Sequence, residues 1–467
     1  MNLQPLRFIV VMCISLALLF SFASISPAQT VTTVYNFTGK NGSANPLYGT
    51  LAQGRNAELY GTTYQSTGGQ GSIFAFASTG VGSTPFSFNG TNASNPVGGL
   101  TLATDGTFYG TTAHGGTQDN GVLFEVTPSG ILFLHELGGE SDGALPYAAP
   151  VQASDGSLYG TTNGSSILSG STIYKYTPAS GVFTTIYQFN GDAEGQSIFA
   201  PLIQGTDGNL YGTANGGGAY GSGTIFKLNT SGTLLFDYSF PCCGTGGLGP
   251  VGPLVQASDG NFYGTTSFGG YGRGYGVIFK MDRNDTVSVL YEFKGPPNDG
   301  RGPSAGLTQA TDGKLYGTTT AGGLSDSGTL FQITTGGTYK LLYSFLNEAG
   351  TSPQAAPAQH TNGILYGTTE LGGRFGFGTI YSLDMGLGPF VTFVRPTGRV
   401  GKSVQILGQA LTGTTSVTFN GVAAAKFTVI SDTYMTAVVP AGATTGVVVV
   451  ATPAGNLTSN VSFRISK

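Results

Sequence analysis

Few residues in this chain of 467 carry strong intrinsic chemistry. Three histidines stand at positions 114, 135 and 360, and none shares with another the close spacing that holds a metal ion. No serine sits in a nucleophile elbow with a His and an acid to activate it. No glycine loop follows a strand and opens a helix as a phosphate cradle does. Asp105, Asp155, Asp207, Asp259 and Asp312 each precede Gly. A calcium loop needs oxygen ligands at alternating positions, whereas each of these turns offers one carboxylate. They therefore read as turn residues, and neither a metal nor a cofactor is expected. The better candidates are Tyr220, Tyr271, Arg273, Tyr275, Arg374, Phe375 and Phe377, which fall in Gly-rich loops. Such side chains stack on sugar rings or anchor a protein partner; the alternative is that they pack under their own loops.

The elements that hold these loops are legible in a repeat. Tyr-Gly-Thr-Thr begins at Tyr60, Tyr109, Tyr159, Tyr263, Tyr316 and Tyr366, and Tyr211 opens Tyr-Gly-Thr-Ala, at intervals of 49 to 53 residues. An aliphatic-aromatic pair follows each, as Ile278-Phe279 follows Tyr263. In the fifth unit, Leu254 to Ala257, Asn261 to Thr266, Val277 to Met281 and Val287 to Phe293 read as four short strands, with Asp259-Gly260 as the first hairpin turn. Gly and Pro are too dense for helices of useful length. Four strands every ~50 residues are the signature of a β-propeller, an open solenoid being the alternative. The chain ends favour the ring. The seventh unit lacks a fourth strand, and Val31 to Phe37 supplies one at the opposite end of the chain.

The expectation is thus an all-β protein with a seven-bladed β-propeller of four-stranded blades over residues 29–388, closed by the N-terminal strand. The repeated Tyr should be core, with the following Gly allowing close approach of an adjacent blade or backbone. Gln53, Gln152, Gln204, Gln256, Gln309 and Gln359, seven residues before the Tyr in six units, either satisfy backbone groups between blades or line a channel. Turns between first and second strands share one face with those between third and fourth. The longer, more variable loops share the other face, and variable loops on a rigid scaffold are where binding usually resides.

The string Asp259-Gly260-Asn261-Phe262-Tyr263-Gly264-Thr265-Thr266, with Gly269-Gly270 and Gly276-Val277-Ile278-Phe279, is restated with variations in all seven units. It resembles the GloVer tandem-repeat family of bacterial secreted proteins over about three quarters of the chain. Units one and three depart from it, with Arg55-Asn56-Ala57 at the first turn and Gly164-Ser165 in place of the Gly pair. The resemblance implies an exported repeat protein with no assigned activity.

From Pro389 the rhythm changes, and seven short strands are expected over 389–467: Phe390 to Arg395, Ser403 to Leu407, Ser416 to Phe419, Ala425 to Ile430, Tyr434 to Val439, Gly446 to Ala451 and Val461 to Ile465. That is the count of an immunoglobulin-like sandwich. Pro396-Thr397, Gly401, Val417 to Val422, Val439-Pro440-Ala441-Gly442 and Gly446 leading to Val447-Val448-Val449-Val450 resemble the IPT/TIG domains, which are usually spacers or binding modules.

Residues 1–28 hold one cation, Arg7, an apolar run from Phe8 to Ile25, and Ser26-Pro27-Ala28. They read as a secretory signal peptide cleaved after Ala28, with an uncleaved anchor as the alternative. No later segment is apolar enough to span a bilayer. Without the leader, 18 basic residues stand against 23 acidic ones, a formal charge of −5. Only 9% of the chain is charged and no basic cluster exists, which excludes a phosphate-tracking nucleic-acid binder. Cys242 and Cys243 are adjacent, either a ring disulfide or two thiols in a turn, so the chain is no disulfide scaffold.

The expected protein is a non-catalytic binder, secreted, on the cell surface or in the periplasm, whose long-loop face contacts a polysaccharide or protein partner. A carbohydrate-active enzyme, needing two carboxylates facing one another in a cleft, and a purely structural envelope protein are the alternatives.

Overall fold

The computed structural model describes residues 30–466 except 40–43, 66–69, 91, 128–129, 140–141, 165–169, 243–245, 271 and 273. The leader, Cys243, Tyr271 and Arg273 thus lie outside the described residues. Among those described, the protein is all-β, with many four-stranded antiparallel sheets in a β-propeller-like arrangement. In unit 5, Val255–Gln256 pairs with Phe262–Thr266, which pairs with Val277–Met281, which pairs with Val287–Glu292. The same meander recurs in seven successive sheets between residues 30 and 384, numbered here 1 to 7 by their unit. In sheet 7 the outer strand is Thr30–Asn36, which pairs antiparallel with Thr379–Asp384.

Burial explains which residues stand where. Second strands such as Phe108–Thr112 and Leu158–Thr162 are buried throughout, because both sheet faces are covered by neighbours. Fourth strands such as Gly82–Ser87 alternate between half-buried and exposed, as expected of an outer edge. Each apolar cluster joins two sheets. Tyr263 and Ile278 of sheet 5 pack against Leu315, Phe331 and Ile333 of sheet 6. Phe37 and Ile380 at sheet 7 pack against Leu59, Phe74 and Phe76 of sheet 1, so the succession returns on itself.

The Gly after each repeated Tyr has a different cause from the expected approach of a neighbouring blade. In unit 5 a Cβ on Gly264 would lie 2.4 Å from Cζ of Phe279, its register partner on the third strand. The aromatic ring lies flat across the glycine, and the same clash recurs at Gly110 with Phe124 and at Gly212 with Phe226. The constraint comes from within the sheet.

The tyrosines and the turn acids prove to be partners. The hydroxyls of Tyr109, Tyr159, Tyr211, Tyr263 and Tyr316 donate to Asp105, Asp155, Asp207, Asp259 and Asp312 at 2.7–2.9 Å. The same aspartates accept the backbone N–H two residues on, closing an Asx-turn. Burial pushes the Asp259 carboxyl up, but the hydrogen bonds from Tyr263 and Asn261 outweigh it and hold the group below the usual carboxylate range.

Residues 392–466 form a second body of two four-stranded sheets and a parallel pair, Thr397–Arg399 with Arg464–Ser466. Val391, Ile406, Leu411, Met435, Val448 and Val450 fill its core. Three short strands lie outside the sequence expectation: Thr397–Arg399 in the parallel pair, and Val422–Ala423 and Gly455–Thr458, the latter two each pairing just after a tight turn.

Candidate functional site

Two hydrogen-bond circuits fix the two faces of the ring of sheets. On the first face, each repeated Gln accepts a backbone N–H from the turn of the preceding sheet. Ser154 donates to Gln204, Thr206 to Gln256, Ser258 to Gln309, Thr311 to Gln359, and Thr361 to Gln53, at 2.7–2.9 Å. The last of these crosses from sheet 7 to sheet 1. Leu102 holds the Gln position in unit 2, and there Arg55 donates to the carbonyl of Thr104 instead. The glutamines are structural ties. His360 adds another tie at the same crossing: its Nδ1 accepts from the Asn362 N–H and its Nε2 donates to the Ala57 carbonyl at 2.8 Å. Burial lowers the pKa of that ring, keeping it neutral.

On the opposite face, the first Thr of each Tyr-Gly-Thr-Thr reaches the next sheet. Thr111 donates to the carbonyl of Ala148, Thr213 to Gly252, Thr265 to Ala305 and Thr318 to Ala355. Thr368, which should cross to sheet 1, has a buried hydroxyl without a partner among the described residues, because unit 1 carries one extra residue in Pro46-Leu47-Tyr48-Gly49. A left-handed residue precedes each of these segments, with φ between 55° and 63° at Asn45, Asn95, Leu145, Ser197, Gly249, Gly302 and Ser352. The signal that could have revealed it is the Pro that follows in six of the seven units.

The C-terminal body occupies the first face. Arg464 donates to the carbonyls of Gly205 and Thr206, and Arg395 to those of Ala153 and Ser154 at 3.4 Å. Gln409 donates to the Thr361 hydroxyl at 2.8 Å and Thr433 to the Arg55 carbonyl at 2.7 Å. The Arg55 guanidinium lies 4.6 Å from the centre of the Tyr434 ring. The turns of sheets 1, 3, 4 and 7 are therefore covered. The variable loops project from the other face.

The candidate residues in those loops divide. Tyr275 and Phe377 pack inward: the Tyr275 ring lies over Gly295 and the Phe377 ring over Gly39, each against a core cluster. Tyr220 is 56% exposed and Phe375 48%, with the Arg374 guanidinium 5.4 Å from the Phe375 ring centre and the Arg374 N–H held by Asn36. The structure adds Phe268, Leu324 and Leu371, exposed in the equivalent loops. Together they make an arc of apolar side chains over sheets 4 to 7, whereas the matching loop of sheet 2 offers Thr117, Gln118 and Asp119. Nearer the axis, Tyr48, Tyr147 and Phe199 are half-buried, with Tyr147 and Phe199 rings 5.3 Å apart. Burial, and then the nearby Glu370 carboxylate, pushes the Tyr48 hydroxyl up.

Several loop acids turn out to be clamps. Asp142 binds the His135 ring and the Gly138 N–H, and Glu194 binds the Tyr187 hydroxyl and the Asn190 N–H. Asp299 accepts from both Tyr291 and Tyr339. On the flank of sheet 4, partial desolvation and then Glu194 push the Asp237 carboxyl up to about 6. Among the described residues no group of His, Cys, Asp and Glu could hold a metal ion, and no helix is long and apolar enough to cross a membrane.

Among solved structures, the chain is similar to a putative 6-phosphogluconolactonase from Bacteroides uniformis, with 16% identity and a TM-score of 0.47 over 66% of this chain and 88% of that one. It is also similar to an oligogalacturonate lyase from Vibrio parahaemolyticus, with 14% identity and a TM-score of 0.48 over 76% and 98%. For TolB from Acinetobacter baumannii the identity is 16% and the TM-score 0.36, over 58% and 61%. None of the curated proteins matches the chain. The Gloeobacter/Verrucomicrobia repeat model matches three times in tandem, over residues 19–149, 131–309 and 234–430. With most of its length so matched, the chain belongs to the Gloeobacter/Verrucomicrobia repeat family.

Proposed function

We propose that this protein is a non-catalytic extracellular binder, exported by its N-terminal leader. In this reading the sheets form a seven-bladed β-propeller closed by the N-terminal strand, and the long-loop face contacts a polysaccharide or protein of the envelope or surroundings. The C-terminal body is an IPT/TIG-type immunoglobulin-like domain that caps the opposite face. One observation carries the reading: the face left uncovered by the C-terminal body is the one bearing the arc of Tyr220, Phe268, Leu324, Leu371 and Phe375. Exposed apolar side chains grouped on one surface mark interaction sites.

The test is a binding screen of the full chain without its leader against glycans, envelope fractions and secreted proteins. Binding should fall about tenfold or more in a Tyr220→Ala, Phe375→Ala double variant, as for anchors worth ~2 kcal/mol. No binding above background would favour the purely structural reading. A second functional reading, a carbohydrate-active enzyme, is favoured by the raised proton affinity of Asp237 beside Glu194, since glycoside cleavage needs one carboxyl protonated near neutrality and another ionised. Release of reducing ends from a polysaccharide, lost in Asp237→Asn, would promote it over the first.

A further inference from the structure

Between the outer strands of sheets 5 and 6 lies a cavity of about 530 Å³, lined by Tyr291, Lys294, Pro296, Pro297, Asn298, Asp299, Tyr339 and Lys340 among others. Its volume falls within the range of small-molecule sites. The repeat accounts for some of this wall. A ring at the Tyr291 position recurs as Tyr187 and His135, each with an acid from the following loop. The stack itself recurs, since Phe183 at the same register position of sheet 3 lies on His135 with centroids 3.8 Å apart and planes 9° from parallel; what Tyr339 adds is a hydroxyl, where Phe183, Leu234 and Val287 carry none. Here the Tyr291 and Tyr339 rings stack with centroids 4.0 Å apart and planes 8° from parallel. Departures from a repeat that otherwise fixes each position are where function is expected to show.

The electrostatics of the cavity are set by how Asp299 is used. Its carboxylate is 4% exposed and takes four donors: the hydroxyls of Tyr291 and Tyr339 at 2.8 and 2.6 Å, and the N–H groups of Lys294 and Gly300 at 2.8 and 2.7 Å. Its lone pairs are occupied, so it is poorly placed to bind a ligand cation or hydroxyl. Both tyrosine hydroxyls are held protonated, their pKa values pushed up by burial first and Asp299 next. The exposed charges on the lining are the ammonium groups of Lys294 and Lys340, and among the described residues Lys294 makes no ion pair. Exposed Pro296 and Pro297 present flat C–H surface beside the aromatic wall. Cations at the rim, with flat apolar walls and a carboxylate already saturated, suit a ring-shaped anion.

We propose that this cavity binds an acidic saccharide, its ring lying against Tyr339 and the prolines and its carboxylate meeting Lys294. The inference rests on the extracellular-binder reading and names a ligand class for a site on the flank of the ring, between sheets 5 and 6. The test is calorimetric titration of the full chain without its leader, using a short oligogalacturonate and a neutral oligosaccharide of equal length. The oligogalacturonate should bind and the neutral one should bind at least tenfold more weakly. Lys294→Gln, at an exposed position, should weaken the acidic ligand about tenfold, and raised salt should do the same. Equal binding of both saccharides, or an unaltered Lys294→Gln affinity, would overturn the proposal while leaving the binder reading standing. Failure of every glycan, envelope fraction and secreted protein to bind would remove both.

Discussion

Truncating Phe37 tests whether the N-terminal strand carries a full share of the last sheet. Phe37 is fully buried, with its ring centroid 5.1 Å from that of Phe74 in sheet 1 and 5.2 Å from Tyr35. Phe240, inside the chain, has the same surroundings: 2% exposure, with Phe279 at 5.2 Å and Tyr238 at 5.3 Å. Deleting a buried phenyl ring costs about 3–5 kcal/mol from lost transfer energy and the cavity left behind. Edge-to-face contacts of this kind add ~0.5–1.5 kcal/mol each, part of which is already in that total. Because the two sites match in burial and neighbours, Phe37→Ala and Phe240→Ala should destabilise by equal amounts, within about 1 kcal/mol. Urea unfolding followed by far-UV circular dichroism, with tyrosine fluorescence as a second probe in a chain without tryptophan, gives both values. The reasoning is refuted if Phe240→Ala costs several kcal/mol and Phe37→Ala less than about 1, since a strand frayed from the last sheet would behave that way.

Three further outcomes follow from particular contacts. Among the described residues, Tyr174 and Tyr381 have buried hydroxyls without partners at positions where other units carry Phe, such as Phe226 and Phe279. Tyr174→Phe and Tyr381→Phe should therefore each stabilise by about 1 kcal/mol, whereas Tyr263→Phe, losing its bond to Asp259, should destabilise by about 1–3 kcal/mol in the same urea assay. Leu145 holds φ at 56°, a conformation costing a branched L-residue ~1–2 kcal/mol; Leu145→Asn, matching Asn45 and Asn95, should raise the unfolding midpoint. The neutral His360 ring at the closing seam has a folded pKa below its ordinary value, so the unfolded chain binds the extra proton first. Its contribution is present above about pH 6.5 and is lost as pH falls below it. Comparing wild type with His360→Gln between pH 5 and 8 should show the stability difference shrinking on the acid side, and a pH-independent difference would refute the assignment.

Whatever each unit states for itself could be read from the sequence, and whatever depends on how two units meet could not. Tyr263, Gly264 and Phe279 recur at fixed separations, so four strands per unit and a buried tyrosine followed from local pattern alone. The partnership of Tyr263 with Asp259 was within reach, since the two lie four residues apart on either side of a hairpin turn, but core burial and turn chemistry each explain one of the two residues without the other. The ties from Gln204 to Ser154 and from Thr265 to Ala305 span about fifty and forty residues. Their existence depends on the spacing between neighbouring sheets, which no single unit encodes.

The same logic separates the candidate binding residues. In the loops, Tyr275 and Phe377 are drawn inward because Gly295 and Gly39 leave room for a ring. Those glycines stand at the end of a different strand from the aromatic they receive, so composition alone could not tell them from Tyr220 and Phe375. Arg395 and Arg464 belong to no repeat, and their bonds to the carbonyls of Ala153 and Thr206 arise only when a second body meets the ring. That docking decides which face stays open. A variant that undocks the C-terminal body should leave the seven sheets intact, because none of their pairings runs through it. It would return to water the carbonyls of Ser154 and Thr206, which Arg395 and Arg464 fill in the docked state.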